Sequence, residues 1–324
     1  MNKQQYISNL LIGSKVDDTF IVARKQIFKK KDGKDYCRLV LQDRTGKINA
    51  IIWTEALNQY GRFEQGDLVA VKGDVASFED EKQININKIE KMQLDLLSDM
   101  SDYIRVTPHD INTLRSGLIE IIGEIRNPHL SKLLELIFDH DFMAKFENSA
   151  AAVSFHHAYR GGLLEHTLSI ARTCLFIAEH YPNINRDILL TGAVIHDVGK
   201  VYEYSTRHII EQTDQGKLLG HIAIGYNLVS DKIDRIEGFP QELKMHILHI
   251  LLSHHGQLEY GSPQKPKTRE AFIVFHLDNM DANIAGFEAL SEEAQDSDWS
   301  KYAKNFDGQL YLKMYSSKDD DLEI

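Results

Sequence analysis

Histidine and aspartate residues that could bind a metal ion recur in the second half of the chain. His196 and Asp197 are adjacent and follow an apolar stretch, so one rigid turn of helix would present an imidazole nitrogen and a carboxylate oxygen together. Borderline and hard divalent cations are bound by such mixed donors. Further candidate ligands lie in or beside other apolar segments: His166, His221, His254, His255 and Asp278. Facing helices often build metal sites in a bundle core, and these side chains would suffice for two ions.

Helical patterns are expected to position these residues. From about residue 150 onward, apolar residues recur at helical spacing and prolines fall in the breaks between the segments. The predicted helices are 162–179, 186–196, 221–236, 241–253 and 268–290. Two earlier apolar stripes, at 111–125 and 130–138, predict helices that pack on this bundle or bridge it to the N-terminal half. Residues 216–220 are expected to form a flexible approach to His221.

Short strands separated by turn residues characterise roughly the first 92 residues. An Asp-Gly turn at Asp32 and Gly33 separates two apolar strand patterns and predicts a hairpin. Five such strands, with a helix at 55–60 between the third and the fourth, predict a small Greek-key barrel of the OB type. The expected fold is therefore multidomain, with an N-terminal β-barrel (OB-fold) followed by an all-α domain.

Aromatic and basic residues of the predicted barrel are candidates for nucleic-acid binding. OB barrels bind single strands by stacking bases on aromatic side chains beside a positive groove. The candidate contact residues are Phe28, Lys30, Tyr36, Arg38, Trp53 and Phe78. Strand aromatics also commonly fill a barrel interior, and the lysine run at 29–31 equally suits a solvated hairpin tip. Both interpretations stay open at this point.

The order His, His-Asp, His, His-His, Asp resembles the HD superfamily of metal-dependent phosphohydrolases. The stretches 155–167 and 253–256, with Gly-Ser-Pro at 261–263, narrow this match. Together with the N-terminal half, they are similar to the YhaM family of 3'-5' exoribonucleases, and the similarity extends over nearly the whole chain. The expected domains are an OB-fold at 1–95, a connecting helical segment at 96–149, an HD domain at 150–312 and an acidic tail at 313–324.

The resemblance implies two sets of metal ligands that share one carboxylate. These sets are His166, His196, Asp197 and Asp278 for one ion, and Asp197, His221 and His254 for the other. His255 is an alternative or additional ligand of the second ion. Manganese is the metal that the family favours, whereas the nitrogen and oxygen donors would also suit Co²⁺, Fe²⁺, Ni²⁺ or Zn²⁺.

Three further residues are candidates for binding the phosphate or for acid-base catalysis. Lys200 lies one turn of helix from Asp197 and so on nearly the same face, where it could contact a phosphate oxygen. Arg160, in a Tyr-Arg-Gly-Gly turn, could hold a phosphate through two hydrogen bonds. His157 is a candidate for acid-base help to the departing oxygen.

The function implied by the resemblance is exonucleolytic. The barrel would capture single-stranded RNA, with single-stranded DNA as a second candidate, and feed its 3' end to a two-metal site that releases nucleoside monophosphates. One alternative is an HD phosphohydrolase acting on free nucleotides or cyclic dinucleotides. Another is a non-catalytic single-strand-binding replication factor. Assembly into a homo-oligomer stays open.

Charge is distributed unevenly along the chain. The net charge is -11, yet residues 1–92 contain 16 Lys/Arg and 13 Asp/Glu, so this part carries +3 and the remainder -14. Contact with a polyanion is therefore expected at the front of the chain. No apolar run approaches the roughly 18 residues of a membrane helix, and the start does not resemble a signal peptide, so a cytoplasmic location without a membrane partner is expected. Cys37 and Cys174 are expected to be reduced thiols.

Overall fold

Five strands close into a barrel at the N-terminal end of the chain. In the computed structural model, which describes residues 3–30, 32–53, 63–79, 81–92, 101–153, 157–206, 209–294 and 297–314, the strand order is β1-β2-β3-β5-β4. The strands are β1 (Lys15–Lys29), β2 (Asp35–Asp43), β3 (Gly46–Ile52), β4 (Leu68–Phe78) and β5 (Glu81–Lys91). β3 and β5 run parallel, whereas the other neighbouring pairs are antiparallel. The helix predicted at 55–60 lies outside the described residues.

The barrel core forms from one face of each strand. Because successive side chains of a strand point to opposite faces, the inward positions bury apolar residues and the outward ones remain exposed. Phe20, Val71 and Ile84 are fully buried in this core, as is Cys37. Cys174 is buried in the separate helical core, and both thiols are free.

Helices make up most of the remaining chain, which confirms the predicted order of a β-barrel followed by a helical domain. They are α1 (Ile111–Gly123), α2 (Pro128–Ile137), α3 (His140–Phe146), α4 (Gly162–His180), α5 (Arg186–Ile195), α6 (Lys200–Glu203), α7 (Asp214–Asp234), α8 (Gln241–Ser253) and α9 (Arg269–Ala294). Two short strands, β6 (Tyr204–Ser205) and β7 (Glu211–Gln212), form a small sheet beside them. No helix in the described part of the chain combines the length and apolar character needed to cross a membrane.

The early helices share one apolar core with the later ones. Leu118 of α1, Leu130 of α2 and Phe146 of α3 are fully buried in the same cluster as Leu164 of α4 and Leu189 of α5. Side-chain caps begin several of these helices, as where Asp139 accepts a hydrogen bond from the backbone N–H of Phe142. The helices predicted at 111–125 and 130–138 therefore pack on the bundle.

The approach to His221 differs from the prediction. The hydroxyl of Thr213 accepts a hydrogen bond from the backbone N–H of Gly216 at 2.9 Å, and α7 begins at Asp214, so residues 216–220 start out helical instead of flexible. Gly220 then interrupts the helix with a φ of +70°, a conformation that glycine adopts readily. The chain changes direction immediately before His221.

An apolar contact joins the barrel to the helical domain. Ile21 on β1 packs against Tyr103 and Ile209 in a small buried cluster. Beside it, the side chain of Gln65 donates a hydrogen bond to Glu211 on β7 at 3.0 Å. The barrel is thereby held next to the β6–β7 sheet.

Gly199 lets two backbone segments of the helical domain lie against each other. A Cβ atom at this position would lie 2.0 Å from the backbone oxygen of His221 and 2.7 Å from the backbone nitrogen of Gly225. Any larger residue must therefore push α7 away. Because Gly199 has no side chain, the turn that carries Asp197 can lie directly against the part of α7 that begins at His221.

Replacing Gly199 with alanine should destabilise the helical domain. We expect Gly199→Ala to lower the free energy of unfolding by about 2 kcal/mol or more, because the added methyl group meets rigid backbone. Urea unfolding followed by circular dichroism measures this. Gly123→Ala is the matched control, since nothing lies within 4 Å of a Cβ at the end of α1. Equal unfolding midpoints for the two variants would contradict the close approach.

Candidate metal centre and nucleic-acid surface

Asp197 lies at the centre of a buried cluster of imidazoles. Its Oδ2 atom lies 3.6 Å from Nε2 of His166 and 3.3 Å from Nε2 of His196. Its Oδ1 atom lies 3.5 Å from Nε2 of His221 and 3.6 Å from Nε2 of His254. The two oxygens of one carboxylate thus face two separate pairs of histidines.

Two sets of potential ligand atoms meet at this carboxylate. Within each set, the ligand atoms lie within 4.8 Å of one another: His166, His196, Asp197 and Asp278 in the first, and Asp197, His221, His254 and His255 in the second. The structure thus brings together all seven residues that the sequence suggests as ligands. His254 and His255 both lie in the second set, so the choice between them stays open. The role of each residue as a ligand stays a prediction.

Unpaired polar atoms in the second set fit a divalent cation. Oδ1 of Asp197, Nε2 of His221 and Nε2 of His254 are buried without a hydrogen-bond partner among the described residues. Buried polar atoms without partners are costly and rare in folded proteins. A cation between these atoms would pair with all three, and nitrogen and oxygen donors without a thiolate suit borderline divalent metals.

Backbone carbonyls orient two of the imidazoles. Nδ1 of His196 lies 2.8 Å from the carbonyl oxygen of Ala193, and Nδ1 of His254 lies 2.9 Å from that of Leu251. Because a carbonyl oxygen only accepts, Nδ1 donates in both cases. The neutral ring then carries its lone pair on Nε2, the atom that faces Asp197.

Two carboxylates that the sequence prediction missed orient His166 and His221. Oδ2 of Asp281 lies 2.7 Å from Nδ1 of His166, and Oε2 of Glu203 lies 2.9 Å from Nδ1 of His221. Each acid follows a predicted site residue by one helical turn, since Asp281 comes three residues after Asp278. That spacing is the signal by which they could have been found. Carboxylates behind ligating histidines fix ring orientation and raise ligand basicity.

The histidines of the second ligand set have lowered pKa values, whereas His166 of the first set has a raised pKa. Burial lowers the pKa of His221 and His254, and burial together with His254 lowers the pKa of His255 to about 4. These rings are neutral at pH 7 and ready to bind a cation. Burial also opposes charge on His166, but Asp278 and Asp281 outweigh it and raise its pKa to about 9.

Lys200 pairs with the central carboxylate, and Arg160 lies elsewhere. Nζ of Lys200 lies 2.6 Å from Oδ2 of Asp197. Burial opposes charge on Asp197, yet the Lys200 ammonium holds the pKa of this carboxyl well below its usual range. Lys200 lines a pocket of about 390 Å³ beside the cluster, whereas Arg160 is not among the described lining residues and donates to the carbonyl oxygen of Thr206 at 3.1 Å. Their contacts with phosphate stay predictions.

Neither His157 nor His249, a histidine on α8 shortly before His254, is among the described lining residues of the pocket. Nε2 of His157 lies 3.0 Å from Oδ2 of Asp281, so this ring supports the residue that orients His166. His249 accepts a hydrogen bond from the backbone N–H of Lys267 at 2.9 Å. His157 is not among the described lining residues of the pocket, so its acid-base role at a leaving group stays a prediction.

Aromatic rings form a stack on the outside of the barrel. The ring centroids of Phe28 and Tyr36 lie 5.6 Å apart and those of Tyr36 and Trp53 5.7 Å apart, with interplanar angles of 27° and 28°. The Arg38 guanidinium lies 5.4 Å from the Phe28 ring, and Nζ of Lys30 lies 4.6 Å from the Trp53 ring. Trp53 is 44% exposed, so these rings do not fill the barrel. We call Phe28, Tyr36 and Trp53 the aromatic stack.

Phe78 stands apart from the aromatic stack. It pairs with Glu81 at the tip of the β4–β5 hairpin, and its side chain is exposed. No ring contact joins it to the aromatic stack within the described ranges. Five of the six residues predicted to contact nucleic acid therefore share one surface, and Phe78 lies on another hairpin.

Comparison with known proteins reproduces this division of the chain. The HD domain family matches residues 163–283, and the family described as an OB-fold nucleic acid binding domain matches residues 21–92. The 3'-5' exoribonuclease YhaM of Shouchella clausii is 31% identical over 304 residues, which cover 93% of this chain and 94% of that protein. The chain belongs to the YhaM family.

A second YhaM protein and one solved OB-fold domain are also similar to this chain. The 3'-5' exoribonuclease YhaM of Bacillus subtilis is 28% identical over 93% of this chain and 96% of its own length. Among solved structures, the second OB-fold domain of replication protein A from Methanococcus maripaludis is 25% identical over 28% of this chain and 96% of that domain, with a TM-score of 0.24. That score is too low for any inference. The family that the sequence motifs indicate is confirmed by the curated YhaM relatives.

Metal binding to this YhaM chain should tighten as the pH rises toward 9. Because the pKa of metal-free His166 is raised to about 9, its Nε2 atom carries a proton below that pH, and a cation must displace this proton. We expect the apparent affinity for Mn²⁺ to rise about tenfold per pH unit between pH 6.5 and 8.5. Titration calorimetry in buffers of different ionisation enthalpy measures both affinity and proton release. A pH-independent affinity without proton release would contradict the assignment.

Neutralising the orienting carboxylates should weaken metal binding. We expect Asp281→Asn and Glu203→Gln each to reduce Mn²⁺ affinity about 10- to 100-fold, because the ligating ring loses its orientation and basicity. The same titration measures the loss. Glu288→Gln is the control on α9, seven residues beyond Asp281. If both variants matched this control, the two carboxylates would have no part in positioning ligands.

Proposed function

We propose that this protein is a metal-dependent 3'-5' exoribonuclease. It binds single-stranded RNA on the barrel and hydrolyses the terminal phosphodiester in the pocket beside Asp197, releasing nucleoside monophosphates. The observation that carries this proposal is one buried carboxylate whose two oxygens face two separate pairs of imidazoles. Relatives that span nearly the whole chain are named 3'-5' exoribonucleases, which supports the same activity.

The proposed chemistry uses two divalent cations, of which Mn²⁺ is the favoured ion. When bound, such ions acidify a water molecule and neutralise charge on the phosphoryl oxygens. The residues that would hold them are His166, His196, Asp197 and Asp278 on one side, and Asp197, His221, His254 and His255 on the other. The chain's own contribution is to keep Asp197 ionised and its imidazole partners oriented.

Lys200 supplies positive charge at the wall of the pocket. Burial opposes its charge, but Asp197 and Asp278 outweigh this and raise the pKa of Lys200, so it remains an ammonium. A phosphate oxygen in the pocket would meet this ammonium as well as the cations. Arg160 is a weaker candidate, because its guanidinium would first have to leave the carbonyl oxygen of Thr206.

The aromatic stack is the proposed landing surface for the single strand. Bases stack on exposed aromatic side chains whatever their identity, and neighbouring cations attract the backbone. Arg38 and Lys30 provide such cations beside Phe28 and Trp53. Because stacking does not read the sugar, single-stranded DNA is proposed as a second ligand of the same surface.

An RNA degradation assay tests the proposed function. With Mn²⁺ present, 5'-labelled single-stranded RNA should shorten progressively from its 3' end, whereas chelator should leave it intact. Asp197→Asn should reduce the rate to the level seen with chelator, because both cation positions lose their shared carboxylate, while Glu288→Gln should degrade RNA like the wild type. RNA that stays intact but is retarded on a native gel would instead indicate a binding protein. Hydrolysis of free nucleotides without RNA shortening would indicate a nucleotide phosphohydrolase.

A further inference from the structure

A cleft separates the barrel from the helical domain close to the metal centre. Its volume is about 880 Å³. Arg24 and Gln65 line it from the barrel, and Tyr204, Glu211 and Lys217 line it from the helical domain. Ile209 of the apolar contact between the two domains precedes Glu211 by two residues, and the side chain of Glu211 accepts a hydrogen bond from Gln65.

The cleft adjoins the pocket beside the metal centre, because the two cavities share lining residues. Ala152 and Tyr204 line both cavities. The pocket is also lined by Lys200, His221 and His255. An RNA strand that left the pocket past Tyr204 would reach the cleft between the two domains.

Strand β1 connects the cleft to the aromatic stack. A bulge between Val22 and Arg24 shifts the register of this strand, and such a shift reverses the face to which the following side chains point. Val22 is buried in the barrel core, whereas Arg24, Gln26 and Phe28 are exposed. Arg24 and Phe28 thus lie in one outward row, about 13 Å apart along the strand.

The opposite strand continues this outward row. Gln26 pairs with Arg38 and Phe28 with Tyr36 across β1 and β2. The Arg38 guanidinium also lies 5.8 Å from the Tyr36 ring. The row therefore runs without a break from Arg24 at the cleft to the rings of the aromatic stack.

The charge described in the cleft suits a phosphodiester backbone, because Arg24 and Lys217 outnumber the carboxylate of Glu211. The side chain of Arg24 forms no hydrogen bond or ion pair with any residue that the structure describes, although the helical part of the chain is strongly acidic. Lys217 on the opposite wall has a side chain that is 60% exposed, and its Nζ lies 3.8 Å from Asp214. Two cations on facing walls can hold the phosphates of a strand that passes between them.

We propose that the cleft binds the RNA segment immediately 5' of the scissile phosphodiester, with Arg24 and Lys217 contacting its phosphates from opposite walls. This inference rests on the proposed exoribonuclease function. It orders three contacts along one strand. The 3'-terminal nucleotide lies in the pocket, the next nucleotides lie in the cleft, and those farther from the 3' end lie on the aromatic stack.

Kinetics on RNAs of increasing length test this order. We expect Arg24→Ala to raise KM about tenfold with little change in kcat, because it removes charge-assisted contacts made equally in the ground and transition states. The increase in KM caused by Arg24→Ala should already appear with short RNAs. The increase caused by Trp53→Ala should appear only with longer RNAs. Oligonucleotides of increasing length, from a dinucleotide upward, measure both onsets. Lys217→Ala should behave like Arg24→Ala.

Two controls separate local from general effects. Lys47→Ala removes one positive charge from another exposed position of the barrel, on β3, and should keep the wild-type KM at every length. Bis(p-nitrophenyl) phosphate is small enough to need the pocket alone, so Arg24→Ala should hydrolyse it at the wild-type rate, which also reports a folded enzyme.

The outcomes distinguish this inference from the proposed function. Identical KM values for Arg24→Ala and Lys47→Ala at every length would overturn the cleft site. Effects of Arg24→Ala and Trp53→Ala that begin at the same length would overturn the order of contacts. If the wild-type protein with Mn²⁺ left all RNAs intact, the proposed function itself would fail.

Discussion

The ionised carboxylate of Asp197, buried among imidazoles, is the constraint on which the helical domain depends. Burying a charge is costly unless partners compensate for it. Lys200 supplies an ion pair at 2.6 Å, and the orienting residues Glu203 and Asp281 turn the surrounding rings toward the carboxylate. Gly199 lets the backbone that bears Asp197 reach α7. The packing of the bundle is therefore inseparable from the electrostatics of its centre.

The barrel and the metal centre make different demands on a substrate. The proposed hydrolysis at the centre would need only a phosphodiester, and the proposed stacking on the aromatic rings would need only exposed bases. Neither of these two interactions depends on the base sequence. In the proposed function the two domains are linked by geometry, because a strand would have to lie across β1 and past Tyr204 to contact both. Under this proposal, the shape and length of the path would select for single strands.

The site residues could be predicted from the sequence where chemistry constrains their pattern. The direction of a side chain could not be predicted where it depends on packing. The histidines predicted to be ligands follow a fixed order on strongly apolar helices, so their assembly in one cluster could be predicted. Asp281 and Glu203 carry a weaker signal, the spacing of one helical turn from a predicted site residue, because ordinary helix acids often show the same spacing. The outward direction of Phe28 depends on the bulge before Arg24, and a shift of one residue reverses every face. His254 and His255 are adjacent, and the fold keeps both near the centre.

The contact of Ile21 with Tyr103 and Ile209 limits how this protein can be dissected. All three side chains are nearly inaccessible to water in the intact chain. Removing the barrel would leave Tyr103 and Ile209 as a bare apolar patch beside an open cleft, and such patches promote self-association. A truncated helical domain would then differ from the full chain in solubility as well as in RNA contacts. Point substitutions on intact protein report on the barrel more cleanly than its deletion.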